Sequence, residues 1–334
     1  MRGSTNVRLT NPILGGLRDF LLGLIAFYGF CSTAYVALYI LVGERLNLVA
    51  VLNNFMPLLL LPAIPLILVC FVAGRPRISL ALVPATLMLL AGYGSLMLPG
   101  HAHAAMAGQP LTLLTYNLHG TWQPQGPDPV VAVVKQADAD VVTLQELSPN
   151  VAQAMQSLYP YHALHTNKDA LVLGQGVLSR YPILEDNYWV MGLGMQRVVL
   201  DVHGTRVTLY NVHLRNPFVS NSRINVALRE WALDDLLRRT TQEKGPLIIA
   251  GDHNMTDMTN SYKRMSALYH DTFRDVGSWL GLTYPADWRF APPLARIDYV
   301  FHDNSIQSIA AHVWPTSGGS DHRPVWTQLT IPNP

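Results

Sequence analysis

Leu247-Ile248-Ile249-Ala250-Gly251-Asp252-His253-Asn254 decides how this chain is read. Four apolar residues of buried-strand type run into a glycine, then present a carboxylate and an amide separated by one residue. That pair can hold a water against a phosphorus atom. Alone, the segment is also an ordinary strand-to-turn exit with a side-chain-capped turn.

Its company changes the reading. Four further polar clusters fall at the ends of strand-like runs in the same half of the chain. They are Thr115-Tyr116-Asn117-Leu118-His119-Gly120, Leu144-Gln145-Glu146, Asn211-Val212-His213-Leu214, and Arg296-Ile297-Asp298-Tyr299 followed by Gly319-Ser320-Asp321-His322-Arg323-Pro324. In this order and spacing the set resembles the endonuclease/exonuclease/phosphatase superfamily, the DNase I-like proteins, over about residues 110–330.

The resemblance implies an α/β fold, a four-layered sandwich of two mixed β-sheets flanked by helices. It also implies metal-dependent hydrolysis of a phosphoester, most readily a diester. Glu146 is then the principal Mg²⁺ ligand, Mn²⁺ being the other candidate ion, with Asn117 and Asp321 completing the metal site. Asp252 is the general base or water-orienting carboxylate, and Asn254 fixes water or phosphate. His322 donates to the phosphate while Asp298 orients its ring, and His213 is a second imidazole on the leaving-group side. His119 stands where many nucleases of the superfamily carry an acidic or amide residue, and it joins Arg215, Asn216 and Arg323 as a candidate substrate contact. His253, between Asp252 and Asn254 on a continuing strand, points away from them and is expected to pack.

Composition divides the chain. Phe20 to Val42, Leu46 to Gly74 and Ile78 to Gly100 contain no Asp, Glu, Lys or Arg, and each is long enough to cross a bilayer as a helix. Residues 1–100 are therefore expected to hold three transmembrane helices (about 20–42, 46–74 and 78–100), with 101–110 an Ala/Gly-rich linker and 111–332 the catalytic domain. Pro57, Pro62 and Pro65 make the second span the least regular. Arg2, Arg8, Arg18, Arg75 and Arg77 lie on one side against Arg45 on the other, which places the N-terminus in the cytoplasm and the catalytic domain outside it. Both cysteines, Cys31 and Cys70, fall inside predicted spans, so the catalytic part carries no thiol.

Residues 101–334 hold 17 Lys and Arg against 20 Asp and Glu, a net charge of −3 with histidine neutral. A protein built to grip long nucleic acid shows a basic excess, and this one does not. A membrane-tethered phosphodiesterase acting on a phospholipid headgroup, or on another phosphoester near the bilayer, is the expected function. A surface nuclease acting on DNA or RNA, and a catalytically silent phospho-ligand-binding membrane protein, are the alternatives. No segment points to a protein partner.

Strands are expected at Leu111 to Leu118, Asp140 to Leu144, Leu171 to Leu178, Arg197 to Val202, Arg206 to Val212, Leu247 to Ala250, Ile297 to Phe301 and Val325 to Leu329. Helices are expected at Val130 to Ala137, Val151 to Leu158 and Ser222 to Arg239, the last with an apolar stripe in which Trp231 reads as core. The segment from Leu282 to Trp288, with Pro292 and Pro293, is a loop near the site in which Tyr284 and Trp288 are expected mainly to pack.

Overall fold

A computed structural model describes residues 12–97, 106–120, 125–166, 174–219, 223–224, 226–287 and 292–334. The N-terminal arginines Arg2 and Arg8, the first half of the linker (101–105), the start of the expected 171–178 strand, Ser222 and Trp288 lie outside the described residues. The chain divides into two units, Met1–Gly94 and Ser95–Pro334.

The first unit is helical: α1 (Pro12–Leu41), α2 (Asn47–Asn53), α3 (Met56–Leu60), α4 (Ala63–Val72), α5 (Pro76–Ser79) and α6 (Val83–Tyr93). Two helices, Ile13–Leu41 and Pro76–Met97, are long and apolar enough to cross a membrane. The expected middle span is instead two helical pieces bent by 86° between Asn53 and Met56, so the number is three only if that broken pair counts as one. Pro57 stands in the first turn of α3, where its missing N–H costs nothing, and so starts a new helix rather than continuing α2. Phe20, Phe27, Phe30, Leu41 and Val72 are exposed, an inverted pattern that water does not favour. Inside the unit, Tyr35 donates to Asn53 Oδ1 (2.7 Å) and Asn53 to Glu44 Oε1 (2.9 Å), a buried polar chain that satisfies itself.

The second unit runs β1 (Gly108–Asn117), α7 (Asp128–Ala137), β2 (Val141–Leu147), α8 (Pro149–Met155), β3 (Tyr161–His165), β4 (Gly174–Ser179), β5 (Ile183–Met191), β6 (Leu193–Val202) and β7 (Thr205–His213). It continues through β8 (Phe218–Val219), β9 (Arg223–Ile224), α9 (Ala227–Thr240), β10 (Leu247–Asp252), α10 (Asn260–Ser266), β11 (His270–Asp271), α11 (Thr272–Val276), β12 (Asp298–His302), β13 (Gln307–Val313) and β14 (Val325–Pro332). The first six-stranded sheet has the order β13-β14-β1-β2-β4-β3 and the second β11-β12-β10-β7-β6-β5, with β8 and β9 a separate hairpin. Both are mixed: β1–β2 and β7–β10 are parallel pairs among antiparallel neighbours.

Strand parity builds the four layers. Leu114, Tyr116, Val142 and Leu144 face α7 and α8. Leu111, Leu113, Val141, Leu209, Ile248, Ala250 and Val300 fill the space between the sheets. Tyr210, Val212, Leu247, Ile249, Tyr299 and Phe301 form a third cluster with Leu233 and Leu236 of α9 and Met265 of α10. Successive side chains alternate faces, so each inter-sheet row is read every second residue.

The sequence expectation for α9 needs correction at two points. The helix begins at Ala227, after the β8–β9 hairpin, rather than at Ser222. Trp231 is 52% exposed, while Ala232, Leu233 and Leu236 supply the buried face, because the helix sets its phase by the β-sheet it covers and not by its largest apolar side chain.

Candidate active site

The inter-sheet rows turn polar together at one end of the sandwich. Leu111 and Leu113 are followed by Thr115 and Asn117 on β1, Val141 by Thr143 and Gln145 on β2, Val207 and Leu209 by Asn211 and His213 on β7, and Ile248 and Ala250 by Asp252 on β10. On antiparallel β12 the same row starts with Asp298 before Val300. In register, Asp252 is opposite His213 on one side and Asp298 on the other, which puts three candidate residues side by side across the second sheet. Gly251 makes this possible: at φ 146° a Cβ there would lie 2.0 Å from the Val212 carbonyl oxygen.

Beneath the site an amide layer ties the sheets. Gln145 Nε2 donates to Asn211 Oδ1 (2.8 Å), and Asn211 Nδ2 donates to the carbonyls of Leu144 (3.1 Å) and Gly176 (3.0 Å). Gln175 of β4 donates across to the Gly194 carbonyl of β6. These buried amide hydrogen bonds, donated from both sheets, tie the strand ends above them together.

Asp252 is held from both sides. Asn117 Nδ2 donates to its Oδ2 (3.0 Å), Asn254 Nδ2 donates to the same oxygen (3.1 Å), and the Asn254 backbone N–H donates to Oδ1 (2.8 Å). Asn254 adopts φ 46° and Glu146 φ 54°, and His119 (φ 49°) is a third left-handed residue here, backbone strain of the kind that gathers at working sites. At Glu146 the cause is visible: the β2–β4 register shifts between Gln145 and Leu147, and this bulge turns Glu146 toward the site. Gly120 packs against that bulge, where a Cβ would lie 1.9 Å from the Glu146 carbonyl oxygen.

His322 Nδ1 lies 2.9 Å from Asp298 Oδ2, a carboxylate acceptor, so that nitrogen carries a proton. Its Nε2 faces Asp252 Oδ2 at 3.8 Å and Asp321 Oδ1 at 3.9 Å. Burial pulls the His322 pKa down, but Asp298 first, then Asp252 and Asp321, raise it well above the ordinary value, and the ring is cationic at neutral pH. Burial also raises the Asp252 and Asp321 carboxyls, with His322 opposing in both. His213 is buried, with Nε2 3.5 Å from Asp252 Oδ2 and 3.8 Å from Glu146 Oε1. Burial lowers its pKa and keeps it neutral.

These groups open onto a cavity of about 210 Å³ lined by Glu146, Leu193, His213, Asn216, Asp252, Asn254, Tyr284, Ile297, Asp321 and His322. Asn117 and Asp298 lie behind this wall, on Asp252 and His322. His119 pairs through Nδ1 with Asp321 Oδ1 at 3.3 Å. Arg215 and Arg323 do not line the cavity: Arg215 lies along Gly192, and Arg323 bonds through its backbone N–H to the Thr283 carbonyl (2.9 Å). His253 turns away as parity requires, its ring edge-on to Tyr299 and Phe301 and its Nδ1 3.0 Å from the Gly251 carbonyl.

Sequence reasoning missed three contributors. Tyr284, expected mainly to pack its loop, lines the cavity with its ring 4.9 Å from that of His322. Ser320 accepts from the His322 N–H (3.0 Å) and donates to the Asn117 carbonyl (2.7 Å), joining two motifs 203 positions apart. Arg229 of α9, only 1% exposed, donates Nη1 to the Asn254 carbonyl (2.8 Å) and so braces the strained turn. A charged residue on an amphipathic helix reads as solvated, and nothing local marks Arg229 otherwise.

The donor set fits a hard divalent cation. Four carboxylates, Glu146, Asp252, Asp298 and Asp321, surround two imidazoles, and Asp298 Oδ1 is buried without a hydrogen-bond donor among the described residues. Ligand atoms of Asp252, Asp298 and His322 lie within 4.8 Å of one another. The Asp298–His322 hydrogen bond already accounts for part of that closeness, so the cavity-facing carboxylates matter more for an ion. Excess negative charge with oxygen donors suits Mg²⁺ or Mn²⁺.

Two layered sheets with such a centre define a metal-dependent hydrolase of phosphoester bonds. The family model described as the Endonuclease/Exonuclease/phosphatase family matches residues 114–322, and the chain belongs to that family. Among solved structures, the endonuclease/exonuclease/phosphatase from Bacteroides vulgatus aligns at 17% identity over 67% of this chain and 99% of that one, TM-score 0.57. Humanized D. rerio TDP2 aligns at 17% over 66% and 99%, TM-score 0.56. The Beutenbergia cavernae protein of the same description aligns at 20% over 67% and 72%, TM-score 0.52. At these identities the likeness is one of fold. No curated protein sequence matches the chain.

Proposed function

We propose that the protein is a membrane-tethered, divalent-metal-dependent phosphodiesterase acting on a phospholipid headgroup or another phosphoester held near the bilayer. The observation that carries this reading is the cavity itself, where Asp252, His213 and the Asp298–His322 pair meet Glu146 and Asp321. Glu146 and Asp321 would hold the ion, with Asn117 steadying the carboxylate beside it. When bound, the ion neutralises charge on the phosphoryl oxygens.

The chain's own groups then divide the work. Asp252, gripped by Asn117 and Asn254, orients the attacking water and takes its proton; burial makes it a stronger base than a solvated carboxylate. Asn254, braced through its carbonyl by Arg229, keeps its amide at Asp252. His322, cationic and oriented by Asp298, donates from Nε2 to the phosphate. His213 is neutral and available at the leaving oxygen. Asn216 at the cavity wall, and His119 at Asp321, are the remaining substrate contacts.

Two helices of membrane-crossing length, and a third span if the bent pair counts as one, support tethering. The excess of arginine on the N-terminal side supports a cytoplasmic N-terminus and a catalytic domain beyond the membrane. Tethering raises the local concentration of a surface-bound substrate without a basic groove, and no Lys or Arg lines the cavity among the described residues. A nuclease is the second reading, because D. rerio TDP2 complexed with single strand DNA product shares the fold at 16% identity, TM-score 0.56.

Full-length protein in lipid–detergent micelles with Mg²⁺ separates the two when headgroup release is scored beside plasmid nicking, with His322→Ala as control. Headgroup release lost in the variant is expected. Nicking without headgroup release would replace this reading with the nuclease.

A further inference from the structure

A second polar cluster lies at the other end of β12, four residues from Asp298 and so about 13 Å along the strand. His302 ends β12 and is register partner to His270 of β11. With Asp275 of α11 and Ser308 of β13 they line a separate cavity of about 340 Å³.

Hydrogen accounting shows what this cluster lacks. His302 Nδ1 lies 2.7 Å from the Asp303 carbonyl, which can only accept, so Nδ1 carries the proton and Nε2 of the neutral ring offers a lone pair. Nε2 is 2.7 Å from Ser308 Oγ, and that oxygen is 3.0 Å from Asp275 Oδ2. One hydroxyl hydrogen must serve both an imidazole lone pair and a carboxylate. Asp275 Oδ2 is also 3.8 Å from His302 Nε2 and 3.6 Å from His270 Nδ1, while His270 Nε2 is held by Asn304 Oδ1 at 2.9 Å. An outer nitrogen fixed by an oxygen acceptor, as His302 Nδ1 is by the Asp303 carbonyl, is how metal-binding histidines are oriented. Separations of 2.7, 3.0 and 3.8 Å among the three inner atoms bracket the roughly 3–3.4 Å between ligands on an ion with bonds of about 2.0–2.1 Å.

We propose that His302, Ser308 and Asp275, with His270, form a second cation site, for a borderline divalent ion of the Zn²⁺ type. One carboxylate beside two imidazoles distinguishes it from the catalytic centre, where four carboxylates surround two. His302 and Ser308 are buried and set the geometry. The His270 ring lies nearly parallel to that of His302 (15°), with centroids 5.3 Å apart, and its side chain is 49% exposed, so it is the ligand that must turn away from Asn304 to close on the ion. An ion here joins α11, β12 and β13, and beside it the Met106 N–H donates to Gln307 Oε1 at 2.8 Å, where the chain enters the catalytic unit. Its role is a clasp rather than a step in hydrolysis.

The test uses full-length protein in detergent, stripped with EDTA, returned to excess Mg²⁺ and titrated calorimetrically with Zn²⁺. One equivalent of Zn²⁺ is expected to bind and to raise the thermal midpoint. Asp275→Asn should weaken that binding at least tenfold, and His270→Ala, at a half-exposed position, should weaken it less. Both variants should keep Mg²⁺-supported activity, and Glu146→Gln should keep the Zn²⁺ equivalent. Zn²⁺ binding that disappears in Glu146→Gln but persists in Asp275→Asn would assign the ion to the catalytic centre and overturn the proposal. So would stabilisation by mild acid without any Zn²⁺ binding, which would mean that the cluster takes up only a proton.

Discussion

Arg296 and Asp298 are separated by a single residue, yet they belong to buried clusters of opposite kinds. Arg296 donates to both oxygens of Asp271 (3.1 and 2.6 Å) and to Asp257, and it lies 4.5 Å over the Tyr299 ring. Arg274 pairs with Asp257 at 3.3 Å, and Tyr262 donates to Asp271 at 2.8 Å. Two cations meet two carboxylates, and although burial opposes it, Arg296 holds Asp271 below its ordinary pKa. Around His322, the other cluster's single imidazolium, stand four carboxyl groups, and three of them, Glu146, Asp252 and Asp321, face a cavity. A closed, balanced cluster is a brace. An open cluster with surplus negative charge is a place for a cation and a reaction.

The sharpest way to separate the two is to neutralise one member of each. Asp252→Asn should lower kcat about a thousandfold while leaving the thermal midpoint unchanged or higher, since burial already pushes this carboxyl toward its neutral form and the amide removes the cost of ionising it. A midpoint that falls with activity would make the open cluster a brace as well. Arg296→Met should do the reverse, costing about 3–5 kcal/mol of stability by stranding Asp257 and Asp271, with kcat of the folded fraction retained. Denaturant unfolding beside active-site titration measures both.

Charge coupling within the open cluster is tested next. His322 owes its raised pKa first to Asp298, working against burial, so the activity that depends on the imidazolium is lost as pH rises through that raised value. Asp298→Asn should move the alkaline limb of the pH–rate profile down by about 1–3 units. An unmoved limb would detach His322 from it.

A smaller effect sharpens the boundary between the clusters. His253, packed edge-on against Tyr299 and Phe301, has its pKa lowered to about 4 by burial. The unfolded chain takes up this proton near the ordinary value and the folded chain only near 4, so the contribution is complete above about 6.5 and is lost as pH falls toward 4. His253→Phe should flatten the acid side of the stability curve by about 3 kcal/mol, and an unchanged slope would place the acid sensitivity elsewhere.

Much of the open cluster was legible because its residues sit where strands end. Apolar runs such as Leu247–Ala250 announce a strand, and the first polar residues after them inherit the parity that brings Asp252, His213, Asn117 and Asp298 to one mouth. Parity also sends His253 to the other face. Features that depend on partners far away in sequence were not legible. The strands β3, β5 and β13 carry little apolar alternation, because edge positions such as Glu185, Asp186 and Asn187 face water. The bulge that aims Glu146 exists only against β4. Arg229 is read as a surface charge until the Asn254 carbonyl is placed beside it. Arg296, by contrast, lay in a quoted motif, but its balance with Asp257 and Asp271 needed the fold.

On this reading the surplus carboxylates at the open cluster hold a catalytic divalent ion. Calorimetric titration of Mg²⁺ into EDTA-stripped full-length protein, in wild type and Glu146→Gln, tests it most directly. Saturable binding of one ion in the wild type, lost in the variant together with Mg²⁺-dependent phosphoester hydrolysis, is the predicted result. Equal binding and equal hydrolysis in the two proteins would contradict it.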